Sequence, residues 1–272
     1  MSSTPWRLLV TGASDGPTNM AIDHAIMEAV AEGRVPPTLR FYAWEPACLT
    51  LGFTQPIADV DRARLKSCGW DVVRRITGGR AILHTDELTY SVTVKDDNPV
   101  VAGDIVQSYR YLSKALRHGL ERLGAAVEAE RRLAGVQKSK GPVCFEVPSH
   151  YEITAGGKKL IGSAQVRRLG IVLQHGSIPL TGDISRICEV LSFESEEARG
   201  RSREHVHRRA TTIEEVLGHV ITWDDAVEIF TASFADTFDL TLIPGDLTPG
   251  EQTRAAAIRE EQYAAETWNA RL

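Results

Sequence analysis

Four absences narrow the field. No apolar run in the 272 residues approaches the roughly 20 residues a membrane-spanning helix needs, so no transmembrane segment is expected. The opening MSSTPWRLLVTGASDG has no long apolar stretch behind a positive flank, and a secretory leader is not expected either. The four cysteines (Cys48, Cys68, Cys144 and Cys188) lie far apart without a CxxC pair. Neither a metal site nor a disulfide framework is therefore expected, and the cytoplasm is the natural compartment. Positive charge is not in surplus: the formal net charge is -5. That argues against a nucleic-acid partner, since such binding rests on Lys and Arg neutralising phosphates. Arg74, Arg75 and Arg80 still form a local basic spot that suits an acidic partner.

What is present is 43% hydrophobic and 25% charged, enough to bury a sizeable core. Short strand-like runs, Trp6 to Val10, Leu39 to Trp44, Cys48 to Phe53, Asp71 to Arg75 and Glu87 to Val94, alternate with helical periodicity from Asn19 to Val30 and from Ser108 to Leu123. Tyr151 to Leu173 breaks at glycines like an antiparallel meander. After about Gly182 the segments Ile184 to Leu191, Thr212 to Leu217, Trp223 to Phe238 and Gly250 to Asn269 read as helices, with a capping box at Thr248 and Glu251. Glu194 to His207 reads as a solvated connection. The expectation is one α+β domain over 1–272, with mixed or antiparallel sheets in 1–182 and helices in 183–272.

Four segments carry chemistry. The turn at Thr11-Gly12-Ala13 suggests a dinucleotide fingerprint, but Thr18 stands where a third glycine is needed and no Tyr-x-x-x-Lys occurs, so that reading is rejected. In Arg74-Arg75-Ile76-Thr77-Gly78-Gly79-Arg80, two glycines beside three arginines suit close approach of a polar or anionic ligand. Gly156-Gly157-Lys158-Lys159-Leu160-Ile161-Gly162-Ser163-Ala164 is either a hairpin with solvated lysines or a strand that holds the Lys159 ammonium over a ligand. Cys144, in Gly141-Pro142-Val143-Cys144-Phe145, is either a small core residue or a nucleophile on a Gly/Pro-punctuated loop.

Together these segments resemble one family. RRITGGRAILH resembles a signature of lipoate-protein ligases and octanoyltransferases, KKLIGSAQ their Lys-x-x-Gly-Ser-Ala motif, and LQHGSIPL (Leu173 to Leu180) the strand that follows. Asn19 to Asp23 and Trp44 to Gln55 resemble two further blocks. CFEVPSHYEI resembles the segment of LipM-type octanoyltransferases in which the cysteine accepts the acyl group. The biotin-attaching branch is not matched, since its GRGRxGR-like loop is absent.

The resemblance implies a biotin/lipoate ligase-like fold and a transferase with Cys144 and Lys159 as catalytic pair. Arg75, Thr77, Gly78, Gly79, His84, Gly162, Ser163 and Ala164 would bind substrate; His84 would either order the Gly-Gly turn or serve the polar end of the site. The implied donor is octanoyl-acyl carrier protein and the implied acceptor a lysine of a glycine cleavage H protein or another lipoyl domain. No metal or cofactor is implied, because a thioester is already activated. An ATP-dependent lipoate ligase, which would use ATP and magnesium, is the alternative on the same fold. A third reading is a catalytically silent carrier-binding protein that docks through the basic segment Arg131 to Lys140.

Overall fold

The computed structural model describes residues 5–131 and 151–272. In chain order these form β1 (Pro5–Ser14), α1 (Gly16–Ala31), β2 (Thr38–Trp44), β3 (Cys48–Leu51), α2 (Arg62–Ser67), β4 (Asp71–Arg74), β5 (Ile82–His84), β6 (Glu87–Lys95) and α3 (Ile105–Arg122). There follow β7 (Glu128–Arg131), β8 (Tyr151–Ala155), β9 (Lys158–Arg168), β10 (Ile171–Pro179), α4 (Glu196–Arg209), α5 (Ile213–Leu217), α6 (Trp223–Phe238), β11 (Thr241–Pro244), α7 (Pro249–Ile258) and α8 (Glu266–Asn269). Among the described residues no helix is long and apolar enough to cross a membrane.

A mixed eight-stranded sheet runs β11-β1-β2-β6-β10-β9-β8-β7, and a small sheet runs β4-β3-β5. The α+β expectation is met. Strand alternation sorts the large sheet into two faces. Leu39 and Phe41 of β2, and Leu88, Tyr90, Val92 and Val94 of β6, meet α3 and α6 on one face. Tyr42, Trp44 and Leu173 lie on the other with Met20, Ile26 and Met27 of α1 and Val73 of the small sheet. The large sheet is thus buried on both sides, and the site described below lies between it and the small sheet.

Two expectations shift. Glu196–Arg209 is a helix, not a loop. Ser195 caps it, Glu196 and Glu197 occupy its first turn, and His207, Arg208 and Arg209 its last, so its charges complement the helix dipole. Only Arg199 and Val206 are buried on it, which leaves no apolar period to read. The C-terminal part is not wholly helical: β11 pairs in parallel with β1, which ties it into the same sheet. The expected Thr248–Glu251 capping box opens α7, and the Glu251 carboxylate also takes two bonds from Arg7 of β1, at 2.6 and 2.7 Å.

Helices α3 and α6 meet at Gly119, where a Cβ would stand 2.5 Å from the Phe230 ring. Gly119→Ala should gain about 1 kcal/mol of helix propensity. The clash with a fully buried ring should cost about 1–3 kcal/mol or more. We expect a net loss of stability, measured as a lower urea midpoint with an unchanged slope.

Candidate active site

Between the sheets lies a narrow cavity lined by Met20, Tyr42, Trp44, Thr50, Arg75, Ile82, His84, Thr89, Gly162, Ala164, His175, Gly176 and Ser177. Of the residues singled out by sequence, Arg75, His84, Gly162 and Ala164 meet there. Thr77 is buried immediately behind them, with its hydroxyl 2.8 Å from His175 Nε2. Ser163 is turned away: its Oγ lies 2.8 Å from Tyr90 Oη, on the α3 face of the sheet. Gly78 and Gly79 form the exposed turn next to the small sheet. Gly79 takes a φ of +98°, and a Cβ on Gly52 would overlap the Gly79 carbonyl oxygen, so two backbones touch where side chains would separate them. Cys144 lies outside the described residues, as does most of Arg131 to Lys140.

The expected basic spot is not on the surface. Arg74 is fully buried and donates to the carbonyls of Gly52, Gln55, Trp268 and Asn269. It therefore clamps the loop after β3 to the C-terminal segment. Arg75 spends its guanidinium within the site. Nε donates to Thr77 Oγ1 (3.1 Å), Nη1 to the Thr50 carbonyl and Oγ1 (3.1 and 2.9 Å), and Nη2 to the carbonyls of Gly78 and Arg80 (2.9 and 2.8 Å). It holds the Gly-Gly turn closed from within.

A guanidinium only donates, so the groups that meet Arg75 accept from it. Thr50 and Thr77 accept from Arg75, and their hydroxyls also meet the two imidazoles: Thr50 Oγ1 lies 2.9 Å from His84 Nε2 and Thr77 Oγ1 2.8 Å from His175 Nε2. The Nδ1 of each imidazole faces a carboxylate: Glu87 Oε1 at 2.7 Å from His84, and Asp23 Oδ2 at 3.3 Å from His175. Glu87 also accepts from Thr89 and Ser177. Asp23 also accepts from Arg40 (2.7 Å), Tyr42 (2.9 Å) and Ser91 (3.0 Å). Trp44 stacks on His84 at 4.1 Å and donates to Thr89 at 2.8 Å.

Burial lowers the His175 pKa against the pull of Asp23, which agrees with a neutral ring. Burial also works against the Asp23 charge, but Arg40 and His175 outweigh it and hold the carboxyl below its usual range. Burial and Asp23 push the Tyr42 phenol up, keeping it a donor. The polar atoms consume one another, so the cavity presents mainly carbon surface. It suits an apolar chain rather than an anion.

Lys159 reaches this face by an irregularity. Thr154 pairs with Lys159 while the next residue, Ile153, pairs with Ile161, so β9 carries one extra residue, Leu160. Leu160 and Ile161 both enter the α3-side core with Ile153 and Ala155. Thr154 and its partner Lys159 therefore point to the opposite face, the one on which Gly162 and Ala164 line the cavity. Re-aiming a side chain in this way is a common use of a β-bulge. Lys159 is itself buried, and its carbonyl accepts from Thr211 at 3.0 Å. Asp23, Thr50, Glu87, His175 and Ser177 were not foreseen as site residues. The signal for Asp23 was a carboxylate amid the apolar Met20-Ala21-Ile22 and Ile26-Met27 of α1.

Residues 15–235 match the lipoyl protein ligase A/B catalytic domain. Along 98% of both chains, the sequence is 46% identical to a protein named octanoyltransferase LipM of Moorella thermoacetica. A protein of the same name from Brevibacillus brevis is 39% identical over 98% of this chain and 99% of its own. Among solved structures, a putative lipoate protein ligase from Thermoplasma acidophilum with bound lipoic acid superposes with a TM-score of 0.80. It is 26% identical, with 99% of this chain and 100% of that one covered. A lipoate-protein ligase A bound with ATP gives 0.81 at 25% identity, covering 98% and 99%.

Two outcomes follow from the network. Replacing Asp23 with Asn leaves Arg40 without its buried counter-charge and should cost about 3–5 kcal/mol, read from urea unfolding. His175 has its folded pKa below the unfolded value of about 6.5, so its contribution is intact above that pH and falls away as pH drops below it. We expect stability to decline from pH 7 to 5, and less steeply in His175→Gln; equal slopes in urea titrations would contradict the assignment.

Proposed function

The chain belongs to the lipoyl protein ligase A/B catalytic-domain family and is an acyltransferase of protein lipoylation; on that premise we propose a cytoplasmic, two-step octanoyl transfer through a thioester on Cys144. The observation that carries the reading is Lys159, turned by the bulge onto the cavity face beside Gly162 and Ala164. The whole-length likeness to octanoyltransferases supports the choice of acyl group.

The acyl chain lies along this slot, against Met20, Ile82, Gly162, Ala164 and the consumed polar wall. Burying eight carbons at about 0.8 kcal/mol per CH₂ gives roughly 5–6 kcal/mol of gross binding, without a polar handle. Arg75, Thr77, Gly78, Gly79 and His84 keep that slot in shape. Cys144 stands seven residues before Tyr151, which pairs with Arg131 at the end of β7. Seven residues reach at most about 25 Å, which bounds how far the thiol stands from the start of β8, the strand paired with that of Lys159.

In the first step the Cys144 thiolate attacks the carbonyl of octanoyl-acyl carrier protein. A new C–S bond forms, the bond to the carrier's thiol breaks, and that thiolate leaves and takes up a proton. In the second, a neutral lysine amine of a glycine cleavage H protein-like lipoyl domain attacks. The amide C–N bond forms, the bond to Cys144 breaks, and the amine's proton passes to the Cys144 sulfur. Lys159 lowers the thiol pKa and polarises the carbonyl as charge builds on its oxygen. The donor is already activated, so neither step needs a nucleotide or a metal.

Incubation with octanoyl-acyl carrier protein should add the mass of one octanoyl group, removable by hydroxylamine and missing in Cys144→Ala. Transfer at the wild-type rate by that variant would sink the thioester. Pyrophosphate release dependent on ATP and free acid would assign a ligase instead. Lys159→Ala should slow transfer by about 10²–10⁴-fold, with the fold retained by circular dichroism.

A further inference from the structure

The groove does not end at the acyl slot. Along the same sheet face, β10 continues from His175 through Ser177 to Pro179, and β6 from Ser91 through Thr89 to Glu87, in paired register. Beyond Ser177 and Glu87 lies a second cavity. Its lining includes Leu83, Thr85, Asp86, Pro179, Thr181, Asp183, Ile184, Arg186, Ile187 and Thr212 besides those two residues. Ser177 lines both cavities, and the His84–Glu87 pair stands between them. Thr212 stands next to Thr211, which donates to the Lys159 carbonyl, so this cavity opens off the Lys159 end of the slot.

Its chemistry differs from that of its neighbour. Three carboxylates, Asp86, Glu87 and Asp183, face one guanidinium. That guanidinium, Arg186, is already held by Asp86, Thr85 Oγ1 and the Asp183 carbonyl. Asp86 and Asp183 are exposed at the mouth, whereas Glu87 and Ser177 are buried at the floor. Leu83, Pro179, Ile184 and Ile187 supply aliphatic wall between them. A surplus of carboxylates, hydroxyls and an aliphatic shaft fit a primary ammonium on a hydrocarbon stem. They fit a neutral amide-bearing thiol arm less well, since nothing there calls for its lack of charge.

We propose that this second cavity is the acceptor's port: it takes the side chain of the incoming lysine, its ammonium drawn past Asp86 and Asp183 toward Glu87, whose carboxylate takes up one ammonium proton, so that the neutral amine reaches the end of the acyl slot. The inference rests on the octanoyl-transfer reading above and adds the site from which the amine arrives. The donor's thiol arm then approaches by another path. The two substrates of the two steps are kept apart by the Glu87–Ser177 wall.

The test separates the half-reactions. Thr181→Phe narrows the mouth from the sheet side and Ile184→Trp from the opposite wall; both residues are partly exposed and outside the hydrogen-bonded wall of the slot. Octanoyl transfer would be followed from a pantetheine thioester to N-acetyl-lysine amide, and separately to hydroxylamine, which is too small to need the cavity. We expect KM for the lysine amide to rise about tenfold or more, the worth of one blocked contact to a charged group. KM for the thioester and the hydroxylamine rate should hold, and n-butylamine should compete with the lysine amide in the wild type only. A rise in thioester KM with the lysine KM unchanged would overturn the proposal and give the cavity to the donor. So would unchanged constants in both variants with wild-type melting temperatures. If the wild type forms no Cys144 adduct yet saturates with the lysine amide, the covalent reading fails while the port stands.

Discussion

A guanidinium with five N–H groups and nothing to accept with is the constraint from which the site is built. Arg75 sits between the two sheets with its donors directed at two threonine hydroxyls and three carbonyls. Both threonines accept from it, and beyond them two histidines and two carboxylates stand within hydrogen-bond reach. The low-dielectric surroundings make each of these bonds stronger and each vacancy more costly. One residue therefore anchors two threonine–histidine–carboxylate chains at once. It also holds the Gly78–Gly79 turn against Gly52, so the chemistry of the wall and the shape of the turn share one origin.

The same closure explains how a lining rich in His, Thr and Arg makes an apolar slot. Such residues would ordinarily advertise a polar ligand. Here their heteroatoms face one another, and what remains toward the cavity is ring edges, methyls and glycine backbone. The second cavity differs because its carboxylates outnumber its cations, not because its residues are more polar. Adjacent chambers on one sheet face thus differ in character, one mainly carbon and one acidic, with only Glu87, Ser177 and His84 between them.

Much of the frame was legible: the long helices, the meander, the capping box at Thr248 and the family motifs each carried a local signal. The layer of polar residues did not. β6 reads Glu87-Leu88-Thr89-Tyr90-Ser91-Val92-Thr93-Val94, the alternation of a strand with one wet face, yet both faces are buried. Period-two patterning reports which residues share a face and says nothing of what covers that face. Arg74 and Arg75 misled for the same reason, since a run of arginines beside glycines looks solvated until its carbonyl partners are known. Arg75 bonds partly within its own turn, to Thr77, Gly78 and Arg80, but other partners of the pair, among them Thr50, Gln55, Trp268 and Asn269, lie too far along the chain for one local window to contain them.

The extra residue in β9 bears on how the Lys-x-x-Gly spacing should be understood. In a regular strand, positions separated by an odd number of residues have opposite parity, so Lys159 and Gly162 would fall on different sides of the sheet. The bulge changes the parity once, at Leu160, and makes an odd interval behave as an even one. The motif is therefore a statement about backbone as much as about side chains: any sequence that straightens this strand while keeping the interval would carry the lysine to the α3 side with every residue of the motif still in place.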